Sequence, residues 1–144
     1  MTAFIVFLFI LMIPFFYKSA FKMDLKLIGV YTFLILIREV VATINVYFFK
    51  LPGSKGDARV FHEMAEIIAS TGEYSFELGH LAFADFLGFI YRVSEVSYML
   101  GHQLSILAFS LSCVVLLKIV SILEFERYKV QTLLVYGSLP SIFL

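Results

Sequence analysis

The residues able to do chemistry in this chain are few, and they gather in one place. Gly53, Ser54, Lys55 and Gly56 form a glycine-bearing turn that delivers Asp57 to the start of an amphipathic stretch. Asp57 is a favoured helix N-cap, worth about 1 kcal/mol through its bonds to backbone N–H groups. Held at a membrane surface, the same carboxylate could act as a base or bind a divalent cation. Arg59 and His62 follow it, and His62 and Glu66 stand one helical turn apart, within reach of an ion pair or hydrogen bond. His62-Glu63 lacks the second histidine of a zinc-protease helix. His80 and His102 are too scattered to define a metal site with it. The glycines fit neither a P-loop nor a dinucleotide fingerprint.

A second group lies upstream. Arg38 and Glu39 sit in the middle of an apolar run. Charges at bilayer depth cost roughly 2.5–3.5 kcal/mol each, so they face a protein interior or a wet cavity. Helical spacing puts Tyr31, Arg38 and Asn45 on one stripe with Ala42, and Glu39 and Thr43 on the next. Arg38 and Glu39 either fix helix packing or contact substrate, Arg38 by bidentate bonds to an anionic group such as a lipid-linked phosphate.

The elements that must position these residues follow from composition. The chain is 61% hydrophobic and 15% charged, with mean hydropathy +0.96, whereas soluble domains carry about 25% charged residues. Much of its solvent must therefore be lipid. A net charge of zero and the lack of a basic patch argue against nucleic acid. Cys113 is the only cysteine, so no intrachain disulfide forms. With no Trp present, an interfacial aromatic belt must use Tyr.

Hydropathy and periodicity predict an all-α, polytopic membrane protein with about four transmembrane helices, forming one domain. The first span is 3–17, with Pro14 tolerable in a membrane setting. No basic residue precedes it and no clean cleavage site follows, which disfavours a signal peptide. The second span is 27–49. An extracytoplasmic segment, 51–95, carries interfacial helices over 58–70 and 80–92, the latter too short to cross. The third span is 96–123, where Ser105, Ser110 and Ser112 suit close helix contacts and Lys118 can snorkel. A fourth, 130–144, is cut short after Pro140, so the chain reads as the N-terminal part of something longer. Lysines in 18–26 and the basic residues of 124–129 place those loops in the cytoplasm and the N-terminus and 51–95 outside. Four basic and seven acidic residues between Lys50 and Glu95 agree.

At the Asp57 turn the sequence resembles the GT-C superfamily of membrane glycosyltransferases, of the protein mannosyltransferase and aminoarabinose transferase type. The likeness rests on Gly56-Asp57-Ala58, then Phe61-His62 and Ala65, straight after a membrane helix. It continues through Gly101-His102-Gln103-Leu104 and Leu139-Pro140-Ser141. The resemblance implies transfer of a sugar from a polyprenyl-phosphate donor to an extracytoplasmic acceptor, with inversion at the anomeric carbon. Asp57 would be the catalytic carboxylate or help hold a divalent ion, the sole cofactor implied. Arg38, Glu39, Arg59 and His62 would bind substrate. Phe61 stands where Tyr is usual, no second acid adjoins Asp57, and the helix 3–17 is additional. The partners expected are the bilayer, the lipid-linked donor and further membrane helices. The rival expectations are a non-catalytic small subunit or scaffold, or a transporter fragment lined by Arg38 and Glu39.

Overall fold

The computed structural model describes residues 1–18, 23–48, 57–74 and 80–138, with only the backbone of Asp57 and His80. Every element among them is helical: α1 (Thr2–Tyr17), α2 (Leu25–Tyr47), α3 (Asp57–Thr71), α4 (His80–Val93), α5 (Tyr98–Ile122), a 3₁₀ turn (Glu126–Tyr128) and α6 (Lys129–Ser138). The glycine turn before Asp57, the Leu139-Pro140-Ser141 pattern and the end of the expected fourth span lie outside the described residues.

Local chemistry sets the boundaries. Asp24 caps α2, its Oδ1 accepting from the Leu27 N–H at 2.7 Å, and Ser97 caps α5 by accepting from the Leu100 N–H at 3.4 Å. Gly72 ends α3 in the left-handed region, φ 76°, its N–H returning to the Ile68 carbonyl. At the end of α5 the same role falls to Glu124, φ 60°. There the Phe125 N–H reaches the Val120 carbonyl and the Glu124 N–H the Ser121 carbonyl, closing a Schellman motif.

α2 and α5, 23 and 25 residues long, are long and apolar enough to cross a membrane. At 1.5 Å per residue each runs roughly 35 Å, against a hydrocarbon core of about 30 Å. α1 is equally apolar but has 16 residues. These three pack with α6 around one core that includes Ile10, Ile13, Tyr31, Ile35, Phe109, Leu117 and Leu133. The expected stripe on α2 is buried: Tyr31, Arg38, Ala42 and Asn45 all lie inside. On α5, Ser110 is buried and bonds the Tyr31 hydroxyl, whereas Ser105 and Ser112 are exposed and return their hydroxyls to their own helix. The outward face of α1 is oily, with Phe4, Ile5, Leu8, Phe9, Phe15 and Phe16 exposed.

The bundle has two chemically distinct ends. At one, the N-terminal ammonium pairs with Glu95 at 2.9 Å, which brings the start of α1 beside the start of α5. The α3–α4 hairpin packs at this end, burying Ala65, Leu87 and Tyr91 against Leu100, with Ala3 and Val6 alongside. At the other end Asp24, Lys26, Glu126, Arg127 and Lys129 line a common polar cleft. α1 and α5 therefore run one way, and α2 and α6 the other. The segments 23–26 and 124–129 meet at one end, and the N-terminus and hairpin share the opposite one.

Candidate functional site

The hairpin is built by close approach. Gly88 lies so near α3 that a Cβ there would stand 2.7 Å from Ile68 Cγ2 and 3.2 Å from the Ala65 carbonyl oxygen. α3 is amphipathic, as expected: Arg59, Glu63, Glu66 and Ser70 are exposed while Ala65 is fully buried. Val60 and Ile67, apolar by type, are half exposed, as are Phe86 and Phe89 of α4.

Between the hairpin and the first two turns of α5 lies a cavity of about 220 Å³. α3 contributes Ala58, Phe61 and His62; α4 contributes Phe83, Leu87 and Tyr91; α5 contributes Tyr98, Gly101, His102 and Ser105. No charged side chain is among the described residues lining it. Its wall is an aromatic array in which His62 meets Tyr91 and Tyr98 edge-on, Tyr98 meets His102 and Phe61 meets Phe83, with ring centroids 4.8–5.6 Å apart.

The polar tips are ordered by one chain of hydrogen bonds. The Tyr91 hydroxyl donates to the Ser97 carbonyl at 2.8 Å. Its single hydrogen is thereby used, so the 2.8 Å contact with His62 Nδ1 has the imidazole as donor. Burial pushes the Tyr91 hydroxyl well above the ordinary tyrosine range, with the Glu66 carboxylate acting the same way. Tyr91 is thus a fixed neutral bridge between α3 and the turn that caps α5.

The sequence-predicted site residues fall into two places. His62 lines the cavity. Arg59, on the outer face of α3, is exposed and holds Glu63 at 2.6 Å, a bond that raises its already high basicity. Asp57 is the first residue of α3, directly before the cavity residue Ala58. Its side chain lies outside the described atoms. Arg38 and Glu39 lie elsewhere. Arg38 is buried beneath α6, stacked 3.6 Å from the Phe109 ring centroid, with Nη2 at 3.4 Å from the Gly137 carbonyl. Glu39 Oε1 accepts from Gln103 Nε2. Neighbouring residues of α5 face opposite ways, His102 into the cavity and Gln103 toward α2, so α5 separates the two groups.

Sequence reasoning missed Tyr91, Tyr98 and Phe83. A signal was available: tyrosines near the ends of apolar segments, in a chain without Trp, are the interfacial aromatics such a protein has to use. Among the described residues no group of three or more His, Cys, Asp and Glu is placed to hold a metal ion. No protein-family model, curated protein or solved structure matches the chain.

Proposed function

We propose that this chain is a membrane-embedded part of glycosyl-transfer machinery of the GT-C kind. It would take a sugar from a polyprenyl-phosphate donor on the extracytoplasmic side, with α1, α2, α5 and α6 as its spans. The observation that carries the reading is the placement of the amphipathic α3–α4 hairpin across one end of an apolar bundle, closing a cavity at the point where α3 begins with Asp57. A hairpin with one polar and one apolar face, exposing Phe86, Phe89 and Val93, suits the interface between lipid and water. A lipid-linked sugar would arrive at that depth. The basic residues Lys26, Arg127 and Lys129 at the far end support a cytoplasmic position for it. Asp57 is the proposed catalytic carboxylate, as base or as ligand to a divalent ion.

One observation favours a second reading. The burial of Arg38 against Phe109 and Gly137 suits a residue that joins helices, as in a non-catalytic subunit, better than one that meets a ligand. Replacing Asp57 tests the first reading. Asp57→Asn in the full-length protein is expected to abolish sugar transfer while membrane insertion, followed by protease protection, stays intact. Unchanged transfer would remove Asp57 from the mechanism.

A further inference from the structure

The wall of the α3–α4–α5 cavity is unusual in its hydrogen-bond polarity. The Tyr91 hydrogen is committed to the Ser97 carbonyl, so in the neutral imidazole the His62 proton resides on Nδ1 and Nε2 keeps its lone pair. Among the described residues no group bonds that Nε2. Ser105, at the rim, donates its hydrogen to the Gly101 carbonyl at 3.2 Å, and its oxygen too is left as an acceptor. His102 Nε2 is buried with no partner among the described residues and can serve either way. The remaining wall is rings and aliphatic groups together with the Tyr98 hydroxyl, which can donate or accept, and no charged side chain is among the described lining residues.

Described walls that offer acceptors and no cation are a poor match for phosphate or carboxylate, which bring acceptors of their own. It fits a neutral ligand that supplies O–H donors at its edge and an apolar face to lie on aromatic rings. At about 220 Å³ it falls below the usual 300–1,000 Å³ of drug-sized pockets and fits one ring.

We propose that this cavity binds a single neutral polyhydroxylated ring, with His62 Nε2, held in position by Tyr91, accepting a ligand hydroxyl. The chemistry stands without the glycosyl-transfer reading. With that reading, on which this identification rests, the ring is a pyranose, and the donor's phosphate lies outside the cavity.

The test uses the full chain, labelled with ¹⁵N-histidine, in amine-oxide micelles, which carry neither sugar nor phosphate. His62→Leu assigns the His62 signals. The wild type is expected to hold His62 as the Nδ1–H tautomer. Methyl glucopyranoside is expected to shift Nε2 saturably, and inorganic phosphate to leave it in place. Tyr91→Phe removes the lock and is expected to mix the tautomers and weaken glucoside binding about fivefold, the worth of one ordinary hydrogen bond. An Nε2–H tautomer in the wild type, a shift with phosphate alone, or no shift with either probe overturns the proposal. The wild-type measurements decide the matter even if Tyr91→Phe does not fold. If the wild-type protein transfers no sugar while the glucoside still binds, the function proposed above falls and the cavity assignment stands.

Discussion

Gly88 offers the most direct perturbation of the site, because the hairpin's geometry depends on its missing side chain. A Cβ at that position meets Ile68 Cγ2 at 2.7 Å and Ile68 Cβ at 2.8 Å, with the Ala65 carbonyl oxygen at 3.2 Å. Carbon atoms prefer 3.5–4.0 Å, so α3 and α4 must part by roughly 1 Å to admit it. Ala65 is fully buried and its carbonyl belongs to the α3 backbone, so the strain has no flexible side chain to absorb all of it. Gly88→Val adds two further carbons to that clash. Overpacking of this kind costs typically 1–3 kcal/mol, only partly offset by the better helix propensity of Val over Gly. The expected net effect is about 2 kcal/mol, confined to the hairpin. Opening of α3 and α4 should then be about 30-fold more frequent, read as faster amide hydrogen exchange in those helices, while α2 and α6 keep their rates. Ile68→Ala in the same background should recover part of the loss, since it removes the nearest carbon but leaves the Cβ. A change below about threefold, or an equal acceleration in α2 and α6, would refute the close-approach argument.

Three further outcomes are expected. Glu39 Oε2 and Gln103 Oε1 are both buried acceptors without a donor, so Glu39→Gln, which supplies an amide N–H, should stabilise the α2–α5 pair by about 1 kcal/mol. Gln103→Leu should destabilise it, with the two variants moving thermal unfolding in opposite directions. Glu124 occupies a left-handed position where a side chain costs about 1 kcal/mol, so Glu124→Gly should raise the unfolding temperature. Glu95 is held below the usual carboxylate range, first by the bond from the N-terminal ammonium and then by the Thr2 N–H. A depressed pKa gives stability that is present above the unfolded value and lost as pH falls through the folded one. Below roughly pH 4 the first turn of α1 should therefore exchange its amides faster, and Glu95→Gln should remove that pH dependence.

Much of the bundle was legible because apolar runs are long and helix caps are local. The second and third spans were expected at 27–49 and 96–123, and the helices run Leu25–Tyr47 and Tyr98–Ile122. The buried stripe of Tyr31, Arg38, Ala42 and Asn45 follows from a period of 3.6 alone. The end of α3 at Gly72 follows from its tolerance of positive φ. What periodicity could not give is pairing between elements distant in the chain. That Gln103 would bond Glu39, or that the Tyr91 hydroxyl would join His62 to Ser97, depends on how helices dock. Val60 and Ile67 show the same limit. Their types fit an apolar face, but Gly88 draws α4 against the Ala65 and Ile68 side of α3 and leaves them outside.

The placement of Arg38 also dictates an order of assembly. In the membrane setting proposed above, α2 on its own would hold a guanidinium and a carboxyl at mid-depth with lipid around them. Its cover is made later in the chain. Phe109 and Gln103 belong to α5, and the Gly137 carbonyl to α6. Until those helices emerge from the ribosome, α2 lacks these contacts for its two charged side chains. It must wait beside the insertion machinery, or shift toward the surface, and settle only when α5 and α6 arrive. Helices made first would then be among the last to reach their final depth.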